Sequence, residues 1–357
     1  MRRIIMALIM ASLVAFAVGG AAWVLVAPPA KAAFPGQNGR IVFYREDSDG
    51  FAQTWVADKD LSNQVKLTSE SADSGWAVWK PGGAKLAFES NRADPDPTDR
   101  NAINDIFTMN PDGSGVVKLT HSDDVSDAAA WSPDGSKIAF GSDRRNGAWR
   151  REIYVMDADG SNVRRVSTLP ANAELDTAPR FSPDGRRLVF TRYINESAPV
   201  RSALFTVRVD GGGLKQLTPW NIGAGPKQLT PWGNGGLKQL TPWGNGAGDA
   251  DWSPSGKKLV FEANPNNRCY GDVYTVDSDG QHLKNITDNR CDGGIADPVW
   301  SPNGHKILFS QAREFSGGFG FGLATMNPDG SARHFILPNP TTNPDKEMHQ
   351  PDWESVR

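Results

Sequence analysis

The sequence predicts an all-β chain folded as a six-bladed β-propeller of four-stranded antiparallel blades, its ring closed by the C-terminal strand pairing into the N-terminal blade. Three observations carry this expectation. A unit of about fifty residues recurs along the chain. Each unit holds four short runs rich in Ile, Val, Phe and Tyr, with no helical period between them. The first copy lacks its innermost run, and the last residues of the chain supply one.

Residues 1–33 stand apart from this pattern. Arg2 and Arg3 precede an apolar run of 24 residues from Ile4 to Ala27, and Ala30-Lys31-Ala32 offers a small-residue cleavage site. Two readings stay open, a cleaved signal peptide or an uncleaved N-terminal membrane anchor, because the run is long enough to span a bilayer. In both, residues 34–357 are exported, to be secreted, periplasmic or held at the cell surface. Without residues 1–33 the chain keeps 35 Lys plus Arg against 41 Asp plus Glu, a net charge near −6. That acidity argues against nucleic acid or an anionic membrane surface as the main partner. The only two cysteines are Cys269 and Cys291, and in an oxidising compartment a disulfide between them is expected.

The repeat itself reads AVWKPGGAKLAF at 77, AAWSPDGSKIAF at 129, PRFSPDGRRLVF at 179, ADWSPSGKKLVF at 250 and PVWSPNGHKILF at 298. Each copy runs on to a second signature, as in DIFTMNPDGSGVVKLT at 105 and EIYVMDADGSNVRRVS at 152. In SPDG, proline presets φ, Asp suits the third turn position, and glycine takes the positive φ that closes a hairpin. The second turn, PDGS or DADGS, joins the third and fourth strands in the same way. A single four-stranded sheet cannot bury both faces, so the copies must stack, and a ring of blades does this while limiting exposed edges. NGRIVFYRED at 38 enters as a second strand, and HQPDWE at 349–354 supplies the missing first strand. Five internal blades and one shared blade make six.

These motifs resemble the PD40, or WD40-like, repeat of the TolB propeller family: a tryptophan, SPDG, an IAF-like strand, a YVM-like strand, DGS and LT. The resemblance spans residues 34–357 and implies the propeller fold. It is far less specific for function.

A tandem insertion interrupts the regular spacing. The aromatic before the first turn marks each inner strand, at Trp79, Trp131, Phe181, Trp252, Trp300 and Trp353, at intervals of 52, 50, 71, 48 and 53 residues. Within 214–248 the segment KQLTPW occurs three times, starting at Lys215, Lys227 and Lys238, and the two extra copies account for 23 residues. Without them the long interval is 48. One copy is expected as the outer strand of its blade; which of the three is left open, since they present the same side chains. The insertion is read as a duplication tolerated by the surface, with Trp220, Trp232 and Trp243 as an alternative aromatic contact loop.

In such a meander the SPDG and DGS turns share one side of the disc, and the variable connections share the other, where binding is expected. No GxSxG, HExxH or paired CxxC occurs. No cofactor, metal or catalytic group is assigned, and a monomer binding a protein or peptide is the preferred reading. The candidate binding residues lie on the variable side. Trp76, Trp149 and Arg150 offer an aromatic and basic contact. His121 and His349 could meet through ring closure. Asp73, Asp127, Asp176, Asp249 and Asp297 precede the inner strands and would ring the channel mouth at unequal heights; the blander reading makes them turn carboxylates accepting backbone N–H groups. The alternative function is a propeller enzyme, a carbohydrate-active lyase or metal-dependent hydrolase, using these His and Asp residues.

Overall fold

The computed structural model describes residues 36–99, 102–121, 124–144, 150–194, 201–220, 229–231, 237–239, 247–263, 271–287, 294–315, 318–336 and 348–356. All belong to the compact unit Lys31–Arg357. Among them there are strands and turns but no helix, and no helix long and apolar enough to cross a membrane.

Blade 1 contains β1 (Gln37–Glu46), β2 (Ala52–Ala57) and β3 (Val65–Lys66). Blade 2 contains β4 (Ser74–Trp79), β5 (Leu86–Ser90), β6 (Asp105–Met109) and β7 (Val117–Lys118), and blade 3 contains β8 (Ser126–Trp131), β9 (Lys137–Ser142), β10 (Glu152–Asp157) and β11 (Arg164–Arg165). Blade 4 is β12 (Ala173–Phe181), β13 (Arg187–Ile194), β14 (Arg201–Arg208) and β15 (Lys215–Gln216), followed by a separate hairpin, β16 (Leu229–Pro231) with β17 (Leu237–Gln239). Blade 5 is β18 (Ala247–Trp252), β19 (Lys258–Ala263), β20 (Asp272–Asp277) and β21 (Lys284–Asn285); blade 6 is β22 (Ile295–Trp300), β23 (Ile307–Phe315), β24 (Gly318–Met326) and β25 (His334–Phe335). The last strand, β26 (His349–Val356), joins blade 1 as its innermost strand, giving the order β26-β1-β2-β3.

Ring closure thus occurs as the sequence predicts. Ile41 stands opposite Trp353 and Tyr44 opposite His349. The pairing is clamped by Arg40, whose Nε and Nη2 donate to Glu354 at 3.0 and 3.1 Å while its backbone N–H donates to Oε2 at 3.0 Å. The first KQLTPW copy is the one that docks: Leu217 donates its N–H to the Leu204 carbonyl at 2.8 Å and is buried, and the Leu204 N–H is taken by Thr218 Oγ1 at 2.9 Å. In the stretch of sequence that joins blades 4 and 5, Leu229–Pro231 pairs with Leu237–Gln239, Thr230 opposite Lys238.

The core is sixfold because the sequence is. Phe43, Phe88, Phe140, Phe190, Phe261 and Phe309, one per second strand, are all at most 1% exposed. In blades 2 to 5 each stacks on the aromatic of the third strand, with centroids 5.6 to 5.9 Å apart. The six marker aromatics are buried too, which makes them packing residues between blades. At the second turn glycine is needed for space as well as conformation: Gly160 has φ +88°, and a Cβ there would lie 2.8 Å from the Leu119 carbonyl oxygen of the preceding blade. Outer strands of two residues leave little exposed edge, which protects the rim against pairing with other chains.

Candidate functional site

One backbone feature repeats around the axis. Three residues before each marker aromatic the chain enters the left-handed region, at Trp76 (φ 48°), Ala128 (53°), Ala178 (50°), Asp249 (44°), Asp297 (52°) and Gln350 (47°). The pairing register slips at each place, so these are β-bulges in the innermost strands. Non-glycine residues in this region are uncommon, and a bulge re-aims the side chain it carries. Six bulges therefore set six side chains around the channel mouth on the variable side.

The inner strands line an axial cavity of about 40 Å³, bounded in all six blades by these bulge residues and by the residues that follow them, among them Val78, Arg180, Asp251, Val299 and Asp352. A small-molecule pocket typically measures ~300–1,000 Å³. The axial cavity is small against that range, so a large ligand has to use the rim. Asp251 Oδ2 accepts the Trp300 N–H and Asp352 Oδ2 the Trp79 N–H, both at 2.8 Å, each tying its blade to the next. Burial pushes the Asp251 carboxyl up to about 7, against the pull of Arg180. Burial likewise raises Asp352.

Two groupings occupy the mouth. The first is aromatic. Trp76 stacks on Tyr44 (5.4 Å), Tyr44 on His349 (5.2 Å), and His349 meets Phe321 at 4.6 Å, a row of four rings across blades 2, 1 and 6. The second is acidic. Asp249, Glu262 and Asp297 hold carboxylate oxygens within 4.8 Å of one another, the arrangement among the described residues that offers a hard cation three ligands. Glu262 Oε2 accepts the Asp297 N–H at 3.1 Å, and Asp297 Oδ2 accepts the Gln350 N–H at 3.2 Å. Burial raises the Asp297 carboxyl, opposed by His349. Burial also raises the Tyr193 phenol, which faces the charges of Asp249 and Glu262.

The structure divides the residues singled out from sequence. Trp76, His349, Asp249 and Asp297 come together at the mouth. Asp127 sits one residue before the bulge of blade 3, 2.6 Å from Arg151 Nη1, beside Glu89, whose carboxyl is pushed up to about 8 by burial and by the Asp127 charge. Asp176 is held by Arg192 through two bonds of 2.6 and 2.7 Å at zero exposure. Asp73 Oδ1 accepts the Ala52 N–H at 2.8 Å, linking blades 2 and 1. Arg150 donates to the carbonyls of Ala173 and Pro170. His121 lies exposed after β7, and among the described residues no ring contact or hydrogen bond joins it to His349. Trp149, Cys269 and Cys291 lie outside the described residues, so the expected disulfide does too.

Sequence reasoning missed Tyr44, Phe321, Glu262 and Gln350 at the mouth, and Arg180, Asp251 and Asp352 below it. For the last three there was a signal. The residue before the marker aromatic is Val78, Ala130 and Val299 in three copies but Arg180, Asp251 and Asp352 in the others.

A closed ring of six four-stranded antiparallel blades defines the class as a six-bladed β-propeller. Residues 97–233 match the family model described as the TolB beta propeller domain, PD40. Over that stretch the chain is similar to the TolB-like propeller family with PD40 repeats. An uncharacterized protein of Agrobacterium fabrum is 30% identical over 128 residues, 36% of this chain and 39% of that protein, so the match spans well under half of the relative. Among solved structures, TolB from Acinetobacter baumannii superposes with a TM-score of 0.59 at 20% identity, over 88% of this chain and 66% of that one. An oligogalacturonate lyase in complex with manganese gives 0.51 at 12% identity, over 85% and 75%. Such identities speak for the fold alone.

Proposed function

We propose that this is an exported, non-catalytic propeller that binds a protein or peptide through its variable face and channel mouth. The observation that carries the proposal is the joining of an aromatic row (Trp76, Tyr44, His349, Phe321) to a carboxylate group (Asp249, Glu262, Asp297) at the rim of a small axial cavity. Aromatic rings supply contact area at low entropic cost, and fixed charges select the partner's sign. The six bulges hold both on rigid inner strands, so little ordering remains to be done on binding.

The test uses the exported chain immobilised against envelope protein extract, with photo-crosslinking from the rim. A protein retained by the wild type and lost on both Trp76→Ala and Asp297→Asn supports the reading. Retention unchanged by both variants overturns it. The enzyme reading rests on the same carboxylates beside His349 and makes a separate claim: stoichiometric metal after purification, lost on His349→Ala.

A further inference from the structure

The opposite face carries a departure from the repeat. Where the second strand of each blade leaves the SPDG turn, its first residue faces a residue of the third strand. In blade 3 this rung is Lys137 opposite Asp157, with the ammonium 2.6 Å from the carboxylate; in blade 5 it is Lys258 opposite Asp277. Blades 2 and 6 put Lys85 and Lys306 within hydrogen-bonding distance of Asn110 and Asn327, at 3.2 and 2.8 Å. Blade 4 alone of these sets two cations against each other, Arg187 opposite Arg208. Like charges directly opposite on neighbouring strands are destabilising.

The surroundings add to the positive charge. Arg187 and Arg208 line an open groove of about 590 Å³ together with Arg164, Asp184, Arg186 and Asp210. Arg164 reaches in from blade 3 and donates to the Val209 carbonyl at 2.6 Å. Both carboxylates are already engaged: Asp184 accepts from Ser182 Oγ and the Arg186 N–H, and Asp210 from Arg208 and the Gly212 N–H. Among the described residues no carboxylate meets the guanidinium of Arg186 or Arg187, and both side chains are exposed. Four arginines against two aspartates thus line one groove in a protein of net charge −3. Guanidinium is planar, weakly hydrated and forked, and it binds tetrahedral oxyanions bidentately.

We propose that this groove between blades 3 and 4, on the turn-bearing face, is an oxyanion site in which Arg164, Arg186, Arg187 and Arg208 hold a multiply charged ligand of the phosphate class. It is separate from the channel mouth and independent of what binds there. Arg208 already has Asp210, so the ligand supplies the negative charge that no carboxylate among the described residues gives Arg186 and Arg187.

The test restores the repeat. Arg208→Asp rebuilds the blade 3 and blade 5 rung, so it should leave the melting temperature unchanged or raised while weakening inorganic tripolyphosphate binding at least tenfold by calorimetry. Arg187→Gln should weaken it as well, and wild-type affinity should fall steeply with added salt. Vesicles of phosphatidylglycerol against phosphatidylcholine separate the sources: sedimentation with the anionic vesicles, lost in Arg208→Asp, assigns a lipid headgroup, and binding of tripolyphosphate alone assigns a soluble ligand. Three results overturn the proposal. They are no tripolyphosphate binding by the wild type at low salt, equal affinity in wild type and Arg208→Asp, or equally tight binding of an acidic peptide of matched charge.

Discussion

Replacing Trp353 by alanine probes ring closure without removing any backbone pairing. Trp353 is 8% exposed, packs with Ile41, Phe43 and Val299, and belongs to the strand that completes blade 1. Truncating a buried tryptophan costs about 3–5 kcal/mol. A chain of this length, melting as one unit, has an unfolding entropy near 0.7 kcal/mol per degree at ~2.1 cal/mol/K per residue. The expected fall is therefore about 4–7 °C by scanning calorimetry. Trp76→Ala provides the internal control, because Trp76 is only half-buried at the mouth and its loss should shift melting by roughly a degree or less. Should Trp353→Ala melt within a degree of the wild type, β26 does not close the ring in solution and the blade assignment fails.

Three further outcomes follow from named contacts. Asp251 has a folded-state carboxyl raised to about 7, so its contribution is fully present below the ordinary Asp range and is lost as pH rises toward 7. Asp251→Asn, which keeps an oxygen for the Trp300 N–H, should flatten the melting temperature between pH 4 and 7; an unchanged slope refutes the assignment. Glu354 behaves oppositely: burial disfavours its charge, but the bonds from Arg40 hold its carboxyl below the usual value, so this stability is lost as pH falls through the folded value. Arg40→Ala should lose part of the acid-side dependence in denaturant titrations below pH 5, and a parallel acid limb in both proteins would contradict it. Leu217→Ala should destabilise less than Leu119→Ala in the matching strand of blade 2, since two further KQLTPW copies can fill the same edge. Equal losses, measured by urea unfolding, would show that the spare copies cannot substitute.

Much of the fold was legible because propeller blades are written in turns and periods. SPDG, DGS and the marker aromatic fixed the blade number, and the missing first strand at Asn38 pointed to the closure seen between Ile41 and Trp353. The docking copy of KQLTPW was not legible, since identical side chains cannot specify register; the short turn at Asp210, closed by a 2.8 Å bond from Arg208 N–H to the Gly212 carbonyl, accompanies the first copy. The mouth was half legible. Asp249 and Asp297 share a bulge position, three residues before their tryptophans, whereas Asp73, Asp127 and Asp176 fall at other heights and spend their charge on neighbours. Tyr44 and Phe321 sit in runs that read as ordinary strand, and only the ring brings them to His349.

The clasp between β26 and β1 also imposes an order on biogenesis. Blade 1 stays one strand short until residues 349–356 have been made, so the edge of β1 stays open to pairing with other chains while the five blades between the two strands are synthesised. A molecule lacking β26 would carry an open seam along β1, an unpaired strand edge ready to join another chain.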